Sequence, residues 1–468
     1  MMKYKYIKGV VLLSVFLSIG LSSCQVLNKY KSPEIDLEHL YRDNNSTDTT
    51  TIANYPWRAF FNDQLLIALI DEGLKHNFDL QIAHSRIKQA EASLGMARAA
   101  YFPDLALVGQ VSHNRFSNGV NGKDVLGYDA TDYRLGVAVS WEADIWGKIN
   151  RQHRAKYAQF LSSHAYKNLV QTSLIANIAT SYYTLLALDE QLKVTNETIE
   201  LLKESVETIE ALKEAGMQNG AAIEQSKAFL YSTQVTVPNL ESQIRELENT
   251  ICFLIGRKSG VVLRSPIQQQ EVISGLQYGL PVQMLAKRPD VQQAELSFRS
   301  AFELTNAAQA SFYPSITLNS SMIGYNAATL SNFFKPENIF ASIVGGLAQP
   351  LFARKQLIAN YQIAKAQQKE ALLTFEKTVL SAGKEVSDIL FSLESSLKKN
   401  EIRAKQVEAS QNSVDYTKEL LKAAEANYIE VLNAEQSLLS AQLSQVNDKL
   451  EQLQYSVNLY RALGGGGE

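Results

Sequence analysis

Tyr133-Arg134-Leu135-Gly136-Val137-Ala138-Val139-Ser140-Trp141-Glu142 alternates residue by residue, and from Lys148 the chain then runs to Ala215 without a glycine or a proline. In the first stretch Tyr133, Leu135, Val137, Val139 and Trp141 point one way. Arg134, Gly136, Ala138, Ser140 and Glu142 point the other, so the stretch predicts a strand with one apolar face. The second stretch, 68 residues long, predicts a helix about 100 Å in length. A compact chain of this size is about 60 Å across, so such a helix projects from any compact body. Ile199, Leu202, Val206, Ile209 and Leu212 give it a coiled-coil seam. A strand followed by an overlong helix sets the fold class: mainly α, with a small β part.

The pattern occurs twice. Working outward, residues 65–100 read as helix, 104–113 as a strand, and 114–132 as a polar linker into the alternating stretch. In the second half, strands are expected near 315–325 and 339–349, joined by 326–338. A second long run from Arg354 to Leu463 is interrupted only by Gly383 and folds back near Ala423–Tyr428. The first long helix turns at Gly216-Met217-Gln218-Asn219-Gly220, a strong breaker. The second turn has no glycine; Ala426 and Asn427 lie in it, and Asn427 is its candidate for a left-handed residue. Helices 65–100 and 221–255, laid end to end, match the long helix in length, as 281–311 and 428–463 do in outline.

Ala99-Ala100-Tyr101-Phe102-Pro103-Asp104-Leu105 parallels Ala310-Ser311-Phe312-Tyr313-Pro314-Ser315-Ile316 at an offset of 211, and Asn77–Gln81 parallels Arg288–Gln292 at the same offset. The ladder Leu240, Ile244, Leu247, Ile251 recurs as Val446, Leu450, Leu453, Val457 at an offset of 206. Ile223-Glu224 and Ala228 recur as Ile429-Glu430 and Ala434. Blocks in one register argue for a two-fold internal repeat of about 200 residues. The expected organisation is a signal peptide (1–23), an extended segment (24–64), repeat 1 (65–275), repeat 2 (276–463) and a flexible glycine tail (464–468).

At the N-terminus Lys3, Lys5 and Lys8 precede an apolar run from Gly9 to Leu21, too short to span a bilayer. It ends in Leu21-Ser22-Ser23-Cys24, which resembles the bacterial lipoprotein cleavage box and makes Cys24 the expected lipidation site. Gln25, not Asp, follows, which by that resemblance implies retention at the outer membrane. Cleavage removes three lysines and leaves 42 basic and 48 acidic residues. No later stretch reaches about 18 apolar residues, so a membrane crossing requires a closed β-barrel. Four strands of about ten residues suit tilted crossings but cannot close, since single-chain barrels begin at about eight. Three chains would supply twelve strands.

Other classes of function find no support. The net charge of −3 and the absence of a Lys/Arg tract argue against nucleic acid. Two cysteines, Cys24 and Cys252, exclude a disulfide scaffold and a zinc cluster. His39, His76, His84, His113, His153 and His164 form no HExxH pattern, and neither a Walker loop nor a dinucleotide fingerprint occurs. No catalytic residue, cofactor or metal site is expected, and six methionines form no ladder for soft metals.

Trp57-Arg58-Ala59-Phe60-Phe61-Asn62-Asp63, Trp141-Glu142-Ala143-Asp144-Ile145-Trp146-Gly147-Lys148, Leu280-Pro281 through Leu285 with Arg288-Pro289-Asp290-Val291 and Ala294-Glu295, the Ala310–Ile316 block, and Ala462-Leu463-Gly464-Gly465-Gly466 follow one another in order. With these motifs the chain resembles the TolC-like outer-membrane efflux proteins, or outer-membrane factors, in their lipoprotein branch. The resemblance implies a homotrimer with a twelve-stranded barrel, a periplasmic α-barrel of long antiparallel helices, and an equatorial belt. It also implies a periplasmic adaptor, an inner-membrane pump and outer-membrane lipids as partners. The motifs themselves read as architecture: Pro103 and Pro314 end helices, Arg288-Pro289-Asp290 starts one, and Tyr101 and Phe312 suit a membrane interface.

The same resemblance makes the turns at 216–220 and 423–428 the adaptor-facing tip. It places Glu430 and Asn433 at the pore constriction, where Asn433 stands for the second of two acidic residues. The expected function is a passive exit duct for small molecules. A type I protein-secretion duct and a non-conducting, lipid-anchored trimeric coiled-coil spacer share much of the pattern.

Overall fold

The computed structural model describes residues 28–35, 40, 55–115, 129–271, 287–423 and 425–467. The expected signal peptide, Cys24 and the Leu280–Leu285 part of the motif lie outside the described residues. The elements run α1 (Trp57–Phe60), α2 (Gln64–His76), α3 (Phe78–Ala99), β1 (Asp104–Arg115), β2 (Asp129–Ala143), α4 (Lys148–Glu214) and α5 (Gly220–Leu254). They continue with α6 (Pro289–Ala310), β3 (Ser315–Ala327), β4 (Ile339–Ser342), β5 (Gly345–Ala348), α7 (Gln356–Lys422) and α8 (Tyr428–Ala462). Helices α4 and α7 have 67 residues each, and α5 and α8 have 35 each. Among the described residues no helix is long and apolar enough to cross a membrane.

The described residues form two compact units, the first drawn from those within 28–34, 88–115, 129–161 and 295–374. It holds one antiparallel sheet in the order β1-β2-β3, with β4 and β5 both on the far edge of β3. The register carries the apolar face straight across. Leu107 pairs with Val137, Val137 with Ile323, and Ile323 with Ala341; Trp141 pairs with Leu318, and Ile316 with Leu347. Leu105, Leu107, Val111, Val137, Trp141, Ile316, Ile323, Ile339 and Leu347 are all exposed. The opposite face aligns Ala106, Ala138, Met322 and Ser342 in one row and Gln110, Arg134 and Asn326 in another.

Two glycines let β2 and β3 approach on that face. A Cβ on Gly136 would sit 2.6 Å from the Ile323 carbonyl oxygen, and one on Gly324 would collide with the Leu135 carbonyl oxygen and the Gly136 Cα.

The fourth strand, expected as one piece over 339–349, is split at Ile343-Val344. The cause lies in β3. Its pairing with β2 shifts by one residue between Val139 and Trp141, and its pairing with β4 and β5 shifts at the same level. One extra residue in β3 near Asn319–Ser320 therefore makes a bulge felt on both sides. The Ser321 hydroxyl accepts from the Val344 amide at 3.0 Å, replacing the lost ladder bond. The bulge also moves the apolar positions from Ile316 and Leu318 to Ile323 and Tyr325. This parity switch is why the alternation of that stretch is poor.

After β5, Arg354 and Lys355 take φ of 48° and 63°, a conformation that costs a residue with a side chain roughly 1–2 kcal/mol. On α4, burial and then the charges of Arg98 and Arg154 hold His153 below the usual histidine range. The buried pair Arg151–Glu303, at 2.7 Å, ties α4 to α6 within this unit.

The second unit, formed by the described residues within 35–87, 162–294 and 375–468, is helical. Its core combines Leu66 and Ile70 of α2, Ile178, Tyr182, Leu185 and Leu186 of α4, Ile251 and Cys252 of α5, Val379 and Val386 of α7, and Leu453, Val457 and Tyr460 of α8. Burying one such aliphatic side chain contributes about 1.5–3 kcal/mol. The 240–254 and 446–457 ladders face this core, with Ile244, Leu247, Leu254 and Leu450 partly buried against it.

The helix expected over 65–100 is two helices, a correction made by Asn77. Its amide closes α2 on Gly73, its Oδ1 accepts from the Leu80 amide at 3.0 Å to cap α3, and its Nδ2 donates to the Leu254 carbonyl at 2.8 Å. These bonds fix Asn77 at φ −60°, ψ 131°, outside the helical range.

The glycine run is likewise corrected. Gly464–Gly467 is packed rather than a flexible tail: Gly464, at φ 92°, ends α8, Gly465 lies against the Tyr460 ring, and the Gly466 carbonyl accepts from Gln171 Nε2 at 3.0 Å.

Candidate functional site

The two helix turns meet at one end of the second unit. Ile209 from the end of α4, Ala222 and Ile223 from the start of α5, Leu421 from the end of α7, and Tyr428, Val431 and Leu432 from the start of α8 form a single apolar cluster. Each turn is built from local chemistry. At the first, Gly216 takes φ 76°, its amide donates to the Lys213 carbonyl at 2.9 Å, and the Met217 amide reaches back to Leu212 at 2.8 Å. This is the glycine-terminated helix end of the Schellman type. Asn219 then caps α5 by accepting from the Ala222 amide at 3.1 Å. Gly216, Met217, Asn219 and Gly220 are exposed, and Gln218 is half-buried.

The second turn works differently. Asn427, expected as its left-handed residue, has φ −85° and is the N-cap of α8, its Oδ1 accepting from the Ile429 amide at 3.3 Å. Capping a helix requires extended backbone, and that requirement prevails over asparagine's tolerance of left-handed geometry. The turn is closed instead by the Glu425 and Ala426 amides, both of which donate to the Leu420 carbonyl. Ala426 is half-buried and Asn427 exposed.

Glu430 and Asn433 lie one turn apart on the exposed side of α8, with Ser437 following. Tyr428, Val431, Leu432, Ala434 and Leu438 occupy the buried side. At the offset of 206 the equivalents of Glu430 and Asn433 are Glu224 and Lys227. Lys227 forms an ion pair with Glu210 at 2.7 Å, and this bond, with the nearby charge of Glu224, raises its pKa. The first hairpin therefore carries its own countercharge. Asn433 supplies none to Glu430.

Sequence reasoning missed Glu435. It is buried on α8, accepts from the Ser205 hydroxyl at 2.7 Å, and pairs with Lys418 at 2.9 Å, joining α4, α7 and α8 just behind the turns. Burial first, and then the Glu435 charge, push the Tyr428 phenol up. A signal was present: Tyr428, Val431, Leu432, Glu435 and Leu438 share one helical stripe, so a carboxylate stands where an apolar side chain is expected.

The Arg288-Pro289-Asp290 motif is a helix clamp in the same unit. The buried Arg288 guanidinium bonds Asp290 through Nε at 3.0 Å and Nη2 at 2.7 Å, donates to the Ala462 carbonyl at 2.8 Å, and pairs with Glu385 at 2.8 Å. Glu385 also holds Arg461 at 2.5 Å. One side chain thus fixes the start of α6, the end of α8 and the middle of α7. Burial opposes the Asp290 charge, but the Arg288 bonds and charge outweigh it and hold this carboxyl below its usual range. Cys252 is buried and unbridged, its Sγ 3.4 Å from the Gly260 carbonyl oxygen. Among the described residues no group of three or more His, Cys, Asp or Glu is placed to hold a metal ion.

Comparison with known proteins matches this architecture. The profile of the family described as outer membrane efflux protein matches residues 69–257 and 280–465. A probable outer membrane lipoprotein, SilC of Salmonella typhimurium, is 27% identical over 460 residues, covering 97% of this chain and 98% of its own. The toluene efflux pump outer membrane protein TtgC of Pseudomonas putida is 28% identical over 472 residues, covering 95% of this chain and 93% of its own. Among solved structures, the open state of the Neisseria gonorrhoeae MtrE outer membrane channel superposes with a TM-score of 0.84 at 24% identity, covering 94% of this chain and 98% of that one.

Proposed function

From the premise that this chain belongs to the outer membrane efflux protein family, we propose that it is the passive exit duct of a tripartite efflux system. In this reading three copies close a twelve-stranded barrel, and their paired long helices enclose a periplasmic tunnel. A periplasmic adaptor and an inner-membrane pump supply cargo and energy. The observation that carries the proposal is the sheet: its in-register apolar face is exposed, and its other face is mixed, with small and polar residues such as Ala106, Ala138, Gln110, Arg134 and Asn326 interspersed with Val108, Met322 and Phe340. Lipid outside and water inside explain both faces at once, and the strands of one chain are too few to close. The two-fold repeat gives each subunit two long helices and two shorter ones of matching length.

The turns at Gly216–Gly220 and Ala426–Asn427 form the tip that meets the adaptor, and Glu430 and Asn433 face the constriction. A three-fold axis would place three Glu430 carboxylates in one ring, which favours cations. The wild-type channel should be cation-selective and blocked by multivalent cations, and Glu430→Gln should lower the cation-to-anion permeability ratio several-fold. Single-channel recording decides this, and unchanged selectivity and block in the variant would remove Glu430 from the constriction.

Cys24 is proposed as the lipid anchor, in line with the lipoprotein description of the SilC relative. Cys24→Ser should abolish palmitate labelling and retard signal removal. A mature N-terminal peptide whose mass shows a free thiol at Cys24 would refute the anchor. Barrel insertion survives the change, because the strands anchor the chain independently of the lipid.

A further inference from the structure

We propose that the segment Pro350-Leu351-Phe352-Ala353-Arg354-Lys355, between β5 and α7, is a docking surface for anionic phospholipid headgroups of the leaflet that borders the helical side of the barrel. The proposal rests on the reading of the sheet as a wall against lipid. Leu351 and Phe352 are 96% and 85% exposed, more than any apolar residue of the sheet itself. Arg354 and Lys355 follow after Ala353 and are exposed; the Lys355 carbonyl accepts from the Ala359 amide at 2.9 Å, while among the described residues neither cationic side chain is seen in a hydrogen bond or ion pair. Both are held in the left-handed region, at φ 48° and 63°, where glycine would be free of strain. The chain instead carries two cations there, so the charges have a use that offsets the strain.

The segment continues a belt. The edge of the sheet that joins the helices is marked by Tyr101, Phe102, Trp141, Trp146, Phe312 and Tyr313. Trp141 donates its indole N–H to the Tyr101 carbonyl at 2.9 Å, Trp146 donates to the Pro314 carbonyl at 2.7 Å, and the Trp146 ring stacks on Tyr313 at 5.0 Å. Indole and phenol rings with satisfied polar ends suit the depth of the ester groups. Two apolar side chains at that edge enter the acyl region, and two unpaired cations beside them meet the phosphates. A zwitterionic headgroup leaves no net negative charge to match the pair, whereas an anionic one does. Each cation near a membrane surface strengthens anionic binding about fivefold.

The test uses full-length protein reconstituted in phosphatidylcholine vesicles containing phosphatidylglycerol, with either lipid brominated, and reads quenching of tryptophan fluorescence. Wild type should prefer phosphatidylglycerol over phosphatidylcholine at least about fivefold in low salt, with the preference weakening in high salt. Arg354→Gln with Lys355→Gln should remove most of that preference, whereas Arg354→Lys with Lys355→Arg should keep it. An equal preference in the glutamine variant, or none in wild type, would overturn the proposal. Quenching by brominated phosphatidylcholine serves as a separate readout. Its absence would show that the sheet does not contact lipid, so the membrane-wall reading itself would fall, and this proposal with it.

Discussion

Arg288→Met should lower the stability of the helical unit by about 3 kcal/mol, the lower end of the range for removing one partner of a buried ion pair. The Arg288 side chain is 8% exposed, while Asp290 and Glu385 keep 28% and 27% exposure and recover some hydration. The loss also leaves the Ala462 carbonyl without its donor at the end of α8. The pH dependence carries a sign. Asp290 has a folded pKa below its unfolded one, so its contribution is complete above the unfolded value, about 4, and is lost as pH falls through the folded value. The gap between wild type and variant should therefore be flat near neutrality and shrink below about pH 4. Denaturant unfolding at several pH values measures both, and a loss under 1 kcal/mol would mean that the clamp does not hold the three helices.

Gly324→Val should act on the other unit. A Cβ there meets backbone, the Leu135 carbonyl oxygen and the Gly136 Cα, and no rotamer relieves such a clash. Overpacking of this kind costs about 1–3 kcal/mol or more, and here relief means separating β2 from β3. The variant should keep its helical circular dichroism but lose insertion into lipid vesicles. Gly109→Val is the control, since its Cβ meets only a Leu135 methyl at 3.7 Å. Equal insertion by Gly324→Val and wild type would mean that close approach of β2 and β3 is not needed.

Features with strong local chemistry were legible in the sequence. The alternation over 133–142 located β2, a glycine-free and proline-free run located α4, and Gly216 and Gly220 located its turn. Pro289 marked the start of α6. What escaped depends on partners distant in sequence. Asn77 breaks a helix because the Leu254 carbonyl is there to receive its amide, and nothing within 65–100 shows that. The bulge in β3 inverts the parity of Ile316 and Leu318 against Ile323 and Tyr325, so a period-two reading fails at the point where the ladder does. Composition alone makes Gly464–Gly467 a tail, yet the Tyr460 ring and Gln171 hold it. Asn427 was expected to supply a left-handed turn residue, and instead its side chain serves as a cap. At the second helix turn, Glu435 shows in the sequence only as a polar break in an apolar stripe, because its partners Ser205 and Lys418 come from other helices.

We propose that the assembled helices and strands enclose a water-filled path. Planar-bilayer recording of the purified full-length protein, with light scattering on the same sample, tests it most directly. A trimeric mass and discrete single-channel conductance steps are expected if three chains close the proposed barrel and tunnel. A trimer that inserts into the bilayer yet passes no ions under any voltage or salt would contradict it, and would identify the helices as a solid coiled coil without a lumen.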